Sequence, residues 1–359
     1  MSRVPGIGDV RLRQLKAYFG ALGRAWAASS EELRRSGLDS RVVDQLCEAR
    51  RTLSPEAEVM ALRRHGIRAL TSDDAAYPSL LAEAADCPPV LYVRGELPEK
   101  DRLTLAMVGT RRPSAYGRQV ASELVEGLVA AGVVTVSGLA RGIDTAIHRE
   151  TLDHHGVTVA VLAGGLDAVY PGENLSLAQR ILDRGAIVSE HPPHTRLRRE
   201  HFLRRNRIMS GISRGTIVVE AGERSGALAT ARNALDQNRE VFAVPGSIFS
   251  PQSTGTNRLI QRGEAKLVLS AADVVTEFGL TPEPLQRGDP VTLQADALQA
   301  GILGHLGATP VHADDLARLL VAPSQEVSAA LSMLELQGVV RNLGNMHYVI
   351  TGRWLPEVS

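Results

Sequence analysis

Residues 103–121 read LTLAMVGTRRPSAYGRQVA, and this stretch decides the fold. The apolar run from Leu103 to Val108 is typical of a buried strand, Gly109 ends it, and a helical pattern begins after Tyr116. A glycine turn between a strand and a helix directs backbone N–H groups and a helix N-terminus to one place, which favours an anion. We therefore expect this loop to hold a phosphate, which could belong to a nucleotide, a sugar or a DNA strand.

The same alternation of strand-like and helical stretches continues to about residue 280. Seven short apolar runs recur there, and they read LTLAMVG, VVTVSG, TVAVLAGG, AIVSE, TIVVEAG, EVFAVPG and AKLVLS. Short apolar runs separated by helices predict a parallel sheet covered on both faces. The predicted fold class is α/β, with a Rossmann-like, doubly wound, mostly parallel sheet. Most runs end in Gly, Ser or Glu, so small and polar residues collect at the carboxyl edge, where such sheets bind ligands.

Smaller domains are expected on both sides of this core. The predicted organisation is a helical domain at 1–70 (SAM-like or helix-hairpin-helix-like), a connector at 71–100 with one short strand at 90–93, the Rossmann-like domain at 101–280, a linker at 281–296 and a winged-helix domain at 297–359. The last domain is inferred from three helical segments, at about 297–307, 312–321 and 324–337, followed by a hairpin pattern around Gly344-Asn345.

Composition excludes several classes of protein. The chain has 359 residues, a net charge of zero and 4% aromatic residues, so any basic surface must be local. Cys47 and Cys87 lack CxxC spacing, which argues against a disulfide framework and a zinc site, and we expect no bound metal. No apolar run approaches the roughly 20 residues of a membrane span, and the N-terminus lacks a signal-peptide core. We expect a cytoplasmic protein without a membrane span.

The motifs of common nucleotide cofactors are missing. No G-x-G-x-x-G follows the first strand of the core and no G-x-x-x-x-G-K-[ST] occurs, so we expect no cofactor. The turn at 220–235 resembles the phosphate motif of nucleotide phosphoribohydrolases, but Ala229, Thr230 and Ala231 stand where those enzymes need a glutamate. The histidines lack a nucleophile or carboxylate partner, so we expect no catalytic residues and no enzyme. A nucleotide-binding or nucleotide-hydrolysing Rossmann enzyme remains the alternative.

Two further segments point to a polymeric anion. SGLARGIDTAIH (137–148) places Arg141 between two glycines at the end of a strand, and Asp144 is expected to cap the next helix. HTRLRREHFLRRNR (194–207) has six arginines, one glutamate and Phe202. Runs of charge are usually solvated, but an aromatic residue among arginines is how proteins hold single strands of nucleic acid. The alternative for Phe202 is a buried anchor.

The flanking domains carry weaker signals. VPGIGDVRLRQL (4–15) resembles the hairpin and second helix of a helix-hairpin-helix unit, but only three residues precede it, so we interpret it as a structural remnant. The segment SQEVSAALSMLELQG (324–338) has Glu326 and Glu335 and no basic residue, which is unsuitable for a recognition helix. Contact with a protein is the expectation there, and a dimeric scaffold with this module as its docking site is a weaker alternative for the whole chain.

Taken in order, these motifs resemble those of the DNA-processing protein A (DprA, also called Smf) family. The resemblance rests on VGTRRPSAYG, SGLARGIDTAIH, AVLAGGLDAVYPGEN, SEHPP, FLRRNRIMSGIS, VVEAGERSGALATA and VFAVPGSIFSPQSTGTNRLIQRG. It implies a non-enzymatic, dimeric protein of DNA recombination that binds and protects single-stranded DNA and loads the RecA recombinase in natural transformation (competence). Duplex DNA is expected to bind more weakly, and the winged helix is expected to contact a partner such as single-strand-binding protein.

The predicted DNA-binding residues follow from the resemblance and the motifs together. They are Gly109, Thr110, Arg111, Arg112 and Ser114 in the first loop, Gly138, Arg141 and Gly142 in the second, Arg198, Arg199, Phe202, Arg204, Asn206 and Arg207 in the arginine run, and Ser225 and Gly226 in the last turn. Arg199 stands where many members of the family have Lys, which keeps the charge. Gly172 stands where they often have a polar residue, which removes one contact.

Overall fold

The computed structural model describes residues 1, 3–281, 295–307 and 310–350. Most of the predicted linker at 281–296 lies outside these residues. By their contacts, the residues form two compact units. The first unit contains residues 1–111 and 132–269, and the second contains residues 112–131 and 270–359.

The first unit begins with helices and continues as an α/β domain. Its described helices are α1 (Asp9–Phe19), α2 (Leu22–Ala27), α3 (Ser30–Arg35), α4 (Ser40–Thr52), α5 (Pro55–Arg64), α6 (Ser79–Glu83), α8 (Ile143–Asp153), α9 (Leu175–Leu182), α10 (Arg199–Ile212), α11 (Ala227–Asp236) and α12 (Thr254–Gln261). Its described strands are β1 (Ile67–Leu70), β2 (Leu91–Gly95), β3 (Thr104–Val108), β4 (Val134–Ser137), β5 (Thr158–Val161), β6 (Ala186–Ser189), β7 (Gly215–Val218), β8 (Glu240–Ala243) and β9 (Lys266–Leu267).

Nine strands form one sheet in the order β1-β2-β6-β5-β4-β3-β7-β8-β9. All neighbours from β6 to β9 pair in parallel, whereas β2 pairs antiparallel with β6 and with β1. The seven predicted apolar runs are the strands β3 to β9, so the predicted fold class is confirmed. The chain leaves β6 and returns to the other side of β3 to form β7, which makes the β3–β7 junction the topological switch point of the sheet.

Alternate residues of the strands face two different cores. Val159, Val161 and Val188 belong to a cluster with Ile208 and Ala231 of α10 and α11. Ala160 and Ile187, at the intervening positions, pack with residues of α8 and α9. A strand buried on both faces has no polar alternation, and this is why these segments read as continuous apolar runs.

The N-terminal helices have their own small core, formed by apolar residues of α1 to α4. Ser29 and Glu32 form a capping box at the start of α3, and Asp39 and Ser54 accept N–H groups at the starts of α4 and α5. β1 follows these helices and joins the edge of the sheet through β2. The strand expected at 90–93 in the predicted connector corresponds to β2, whereas β1 lies at the end of the predicted helical domain, 1–70, where no strand is expected.

The second unit contains the winged helix. Its described elements are α7 (Ala115–Ala130), α13 (Ala271–Glu277), α14 (Ala297–His305), β10 (Val311–His312), α15 (Ala313–Leu320), α16 (Ser324–Leu336), β11 (Val340–Asn342) and β12 (His347–Ile350). Three helices with a small sheet in the order β10-β12-β11 confirm the predicted winged helix, and β10 adds a strand that the sequence did not indicate. The Arg118 side chain of α7 donates to the carbonyl of Leu343 at 2.6 Å.

None of the helices within the described ranges is long and apolar enough to cross a membrane.

Candidate nucleic-acid interface

Three of the predicted loops meet at the switch point of the sheet. The backbone N–H of Thr110, after β3, donates to the carbonyl of Glu220, after β7, at 2.7 Å. The carbonyl of Thr110 accepts the N–H of Ile143, at the start of α8, at 3.1 Å. The loop that decides the fold is thus bonded on one side to the Gly-rich turn after β7 and on the other to the SGLARG turn.

An aromatic and cationic group lies beside this junction. The guanidinium carbon of Arg111 lies 5.3 Å from the centroid of the Phe202 ring, in cation–π geometry. The ring of Tyr170 meets Phe202 edge to face, with centroids 5.9 Å apart. Phe202 is partly buried, Tyr170 is 56% exposed and Arg111 is exposed. The group therefore presents two rings and a cation to solvent, and Phe202 is not a fully buried anchor.

Gly142 fits tightly against the first loop. Its φ is +85°, and a Cβ at this position would collide with the carbonyl oxygen of Thr110 and lie 2.8 Å from the Cα of Arg111. Only a glycine tolerates both the left-handed conformation and the close approach of a second backbone. The sequence signal for this position, a glycine at the end of a strand, thus has a structural cause.

The prediction that Asp144 caps α8 is wrong. Gly142 is the N-cap residue and no side chain caps this helix. The Asp144 carboxylate instead accepts the backbone N–H groups of Gly138, at 3.1 Å, and Ala140, at 3.4 Å, and so holds the SGLARG turn. Its burial raises the pKa of the carboxyl group, and the charge of Arg205 opposes that rise.

Arg205 supports the same turn, although it is not among the predicted DNA-binding residues. The side chain is 4% exposed and donates to the carbonyl of Val161 at 2.9 Å. A Cβ on Gly138 would collide with its guanidinium. Burial lowers the pKa of Arg205 to about 10. Arg205 is thus one of two buried arginines among the six of the charge run, and charge alone does not identify which members are buried.

The other side chain of the second loop is held at the surface. Arg141 is exposed and forms a bidentate ion pair with Glu173, at 2.9 and 2.7 Å. Glu173 lies in the turn Gly172–Asn174, where the Asn174 amide donates to the carbonyl of Leu139 at 2.9 Å. If Arg141 contacts DNA, it must leave the Glu173 carboxylate and bind a phosphate instead. Both side chains of this ion pair are exposed to solvent, so breaking the pair costs little free energy.

The arginine run divides into exposed and buried members. Arg198 and Arg199 lie exposed at the start of α10, one turn before Phe202, and Arg198 is 3.7 Å from Glu200. Arg204 is half-exposed and pairs with Asp9 of α1 at 2.6 Å. Exposed guanidinium groups on the same helix as Phe202 suit a phosphate backbone.

Asn206 and Arg207 are buried and are bonded within the protein. The Asn206 amide donates to the carbonyl of Gly226 at 3.2 Å. Arg207 donates to the carbonyl of Asp86 at 2.6 Å and forms an ion pair with the buried Glu190. Burial raises the pKa of Glu190, and the charge of Arg207 opposes this. Direct DNA contacts of Asn206 and Arg207 stay predictions, and their geometry favours a supporting role.

Some polar groups of the turn after β7 form hydrogen bonds within the turn itself. The N–H of Ser225 donates to the carbonyl of Gly222 at 3.0 Å, and the Ser225 hydroxyl accepts from Ala227 at 3.3 Å. Gly226 is exposed. The predicted anion-binding amides of this turn are thus partly committed to the turn itself.

The remaining predicted residues complete the first loop. Arg112 is exposed, and Gly109 has a conformation in which a Cβ would lie 2.6 Å from Ile143. The Ser114 hydroxyl caps α7, where it accepts the N–H of Gly117 at 3.0 Å. Ser114 is therefore an N-cap residue, as its position before a helix favours.

The glycine hairpin near the N-terminus borders a cavity of about 600 Å³, lined by Gly6, Gly8, Asp9, Val10, Arg11, Arg13, Asp86, Arg204 and Arg207. The Asp9 carboxylate lies within the first turn of α1 and within 3.5 Å of Arg207. An acidic side chain at a helix N-terminus occupies the place where a phosphate would bind. The interpretation of this hairpin as a structural remnant stays a prediction.

Within the described part of the chain, no group of three or more His, Cys, Asp or Glu residues could hold a metal ion.

The fold and this edge define an α/β protein of the doubly wound type, with Arg111 and Phe202 in contact at the switch point of its sheet, and with a winged-helix domain. Comparison with known proteins gives the family. The family model described as DNA recombination-mediator protein A matches residues 68–279, and that of the DprA winged helix domain matches residues 282–346. The chain belongs to the DprA/Smf family.

Relatives from several bacteria support this assignment. The DNA processing protein DprA of Bacillus subtilis is 45% identical over 61% of this chain and 73% of its own length. Protein Smf of a Synechocystis species is 32% identical over 97% of this chain and 96% of its own length. These two relatives are named for DNA processing or simply as Smf, and neither name describes an enzymatic reaction.

Two solved structures are similar in fold to this chain. DprA from Streptococcus pneumoniae has a TM-score of 0.63 and 33% identity, covering 76% of this chain and 98% of that one. DprA from Helicobacter pylori, in a structure described for its single-stranded DNA binding mode, has a TM-score of 0.53 and 28% identity, covering 59% of this chain and 95% of that one.

Proposed function

We propose that the protein binds single-stranded DNA along the carboxyl edge of the sheet and catalyses no reaction. The observation that carries the proposal is the group formed by Arg111, Phe202 and Tyr170 beside the switch point. Proteins that bind single strands combine aromatic platforms for the bases with cations for the backbone. The binding mode described for the Helicobacter pylori relative supports the same ligand class.

The residues divide into two proposed roles. Direct contacts are assigned to the exposed or loop residues Gly109, Thr110, Arg111, Arg112, Gly138, Arg141, Gly142, Arg198, Arg199, Phe202, Arg204 and Gly226. Ser114, Asn206, Arg207 and Ser225 hold the elements that carry them. In this arrangement a base stacks on the part of the Phe202 ring that Arg111 leaves open, and the Arg111 guanidinium binds a phosphate oxygen pair.

The experiment that tests the proposal compares oligothymidylate with a duplex of equal length over a series of salt concentrations. Binding to phosphates releases counterions, so affinity for the single strand is expected to fall steeply as salt rises. Duplex DNA is expected to bind more weakly, because its bases are not free to stack. Nearly constant affinity over the series, or hydrolysis of a nucleoside monophosphate, would favour a nucleotide enzyme instead.

We infer further that the protein acts in natural transformation and recombination, where it protects incoming strands and helps RecA to load on them. Membership of a family described as recombination mediators supports this. The expected result is faster RecA filament formation on strands already coated with single-strand-binding protein. The ATPase activity of RecA measures the rate of filament formation. No acceleration at saturating protein would contradict the role.

We also propose that the protein is a homodimer and that the winged helix contacts a protein partner, such as single-strand-binding protein. Helix α16 has acidic residues where a DNA-recognition helix needs basic ones, which supports a protein contact. Sedimentation of the full chain tests the dimer. Substitution of the exposed Leu336 by Glu is expected to weaken the contact with the partner without changing DNA affinity.

A further inference from the structure

A second exposed aromatic residue lies on the loop that follows β8. Ile248 is 84% exposed and Phe249 is 90% exposed. Phe249 is one of five phenylalanines in the chain, and the other four are buried or partly buried. Because Ile248 and Phe249 are adjacent, the loop exposes two apolar side chains together, and contiguous exposed apolar surface is typical of interaction sites.

Hydrogen bonds hold the backbone of this loop in a defined conformation. The Asn257 side chain accepts the N–H of Gly246 at 3.1 Å and donates to its carbonyl at 2.9 Å. The N–H of Phe249 donates to the Ser247 hydroxyl at 3.2 Å, and the N–H of Ser250 donates to the Ser247 carbonyl at 3.0 Å. Phe249 thus lies in a turn that is bonded at its base, which reduces the entropy lost when a ligand binds.

The loop also adjoins the proposed DNA crevice. The N–H of Gly255 donates to the carbonyl of Ala221 at 2.8 Å, and a Cβ on Gly222 would lie 3.1 Å from the carbonyl of Pro251. The loop therefore packs on the turn after β7. The other end of that turn accepts a hydrogen bond from Asn206 of α10, the helix that carries Phe202.

A cation lies in the same turn. Arg224 is exposed and forms no ion pair with the residues that the structure describes. Arg111 follows β3 and Phe249 follows β8, which are two strand spacings apart, or about 10 Å along the edge of the sheet. Arg224, after β7, and Phe249, after β8, therefore follow Arg111 in the order in which their strands lie along the edge of the sheet.

We propose that Phe249 is a second base-stacking position for the DNA strand that leaves Phe202, and that Arg224 binds the phosphate backbone between them. The inference rests on the proposed function and extends it. We choose a base as the occupant because an exposed aromatic ring, on a loop packed against a turn with an unpaired arginine, combines the two groups that hold single strands. A protein partner on this tip is an outcome of the test.

The experiment measures the affinity of the full chain for oligothymidylates of increasing length. Phe249→Ala is expected to bind the shortest strands like the unchanged protein and to lose roughly tenfold in affinity once the strand is long enough to reach the loop. Phe249→Tyr keeps a ring and is expected to retain affinity. Phe249→Leu keeps apolar bulk without a π face and is expected to behave like Ala, while Ile248→Ala is the matched control on the same loop.

A second measurement places the base directly. Strands with a single 5-iododeoxyuridine are expected to cross-link on irradiation to Phe202 and to Phe249 at two different nucleotide positions. Equal affinity of Phe249→Ala and the unchanged protein for all lengths, with cross-links at Phe202 only, overturns the inference and leaves the proposed function intact. A change in oligomeric mass or partner binding without a change in DNA affinity also overturns it. If the unchanged protein binds no strand at all, both the inference and the proposed function are contradicted.

Discussion

The guanidinium of Arg111 lies over the ring of Phe202, with 5.3 Å between the guanidinium carbon and the ring centroid. These residues are 91 positions apart, the first in the loop after β3 and the second in α10. The contact exists because α10 lies with its N-terminus at the edge where β3 ends. It joins the two motifs that the sequence indicates separately, a glycine turn with arginines and an arginine run with an aromatic residue.

Replacing Phe202 by Ala is expected to weaken binding of oligothymidylate roughly 5- to 150-fold, since base–aromatic stacking contributes about 1–3 kcal/mol. The partly buried ring also packs on Tyr170, so a small loss of stability is expected too. Fluorescence anisotropy measures the affinity and urea unfolding the stability. Phe202→Tyr is the control, and it should bind nearly as well as the unchanged protein.

Arg199→Ala is expected to reduce the slope of log affinity against log salt by about 0.7, the contribution of one phosphate contact on a single strand. Arg199 is exposed at the start of α10, so its loss should not affect folding. The matched control is Arg64→Ala, at the exposed end of α5 in the N-terminal helices. An unchanged slope for Arg199→Ala would remove this residue from the interface.

Much of the fold could be predicted because burial on both faces leaves a clear pattern. The runs that became β3 to β9 are short, apolar and separated by helices, and this pattern has few other solutions. β1 was not anticipated, since only two of its four residues, Ile67 and Leu70, are buried. An edge strand of this kind depends on its neighbour, β2, more than on its own sequence.

The site could be predicted as a set of loops but not as a set of contacts. The spacing of glycines indicates that Gly142 lies in a tight turn. A Cβ at this position would collide with the carbonyl oxygen of Thr110, but this contact depends on a distant part of the chain and cannot be read from the spacing. Likewise, six arginines in one run look alike. Only the packed structure separates Arg199, which is exposed, from Arg205, which is 4% exposed. Tertiary context decides which charge faces water.

Gly142→Ala is expected to destabilise the protein by about 1–3 kcal/mol, since its φ of +85° is strained for any residue with a Cβ. The added methyl group would also displace the backbone of Arg111, so affinity for single strands should fall. Gly172→Ala is the control, because a Cβ there meets nothing within 4 Å. Urea unfolding and anisotropy check both variants. Equal stability of the two would contradict the role of Gly142.

Arg207→Ala is expected to reduce the free energy of unfolding by about 3 kcal/mol, because it leaves the buried Glu190 carboxylate with only the more distant Arg204, at 3.7 Å, as a partner. Arg239→Ala is the control. Arg239 pairs with Glu83, which is 62% exposed, so the carboxylate returns to water and the loss should be smaller. If Arg207 supports α10 without touching DNA, the folded variant keeps its salt slope. A slope reduced by about 0.7 would show a phosphate contact.

His148 is expected to make stability fall in acid. The ring is fully buried, its Nδ1 lies 2.7 Å from the Thr158 hydroxyl, and burial together with the charge of Arg205 lowers its pKa to about 3. The unfolded chain binds this proton near pH 6.5, so the contribution to stability is full above about pH 6.5 and is lost as the pH falls towards 3.

At about pH 4.5 this loss amounts to roughly 3 kcal/mol relative to neutral pH. Urea unfolding at the two pH values measures it, and His148→Asn is the comparison, since asparagine does not titrate. The variant should be less stable at neutral pH but should lose roughly 3 kcal/mol less on acidification than the unchanged protein. Because the carboxyl groups titrate in both proteins, the difference between the two losses isolates His148. Equal losses would mean that the folded protein protonates this histidine as readily as the unfolded chain does.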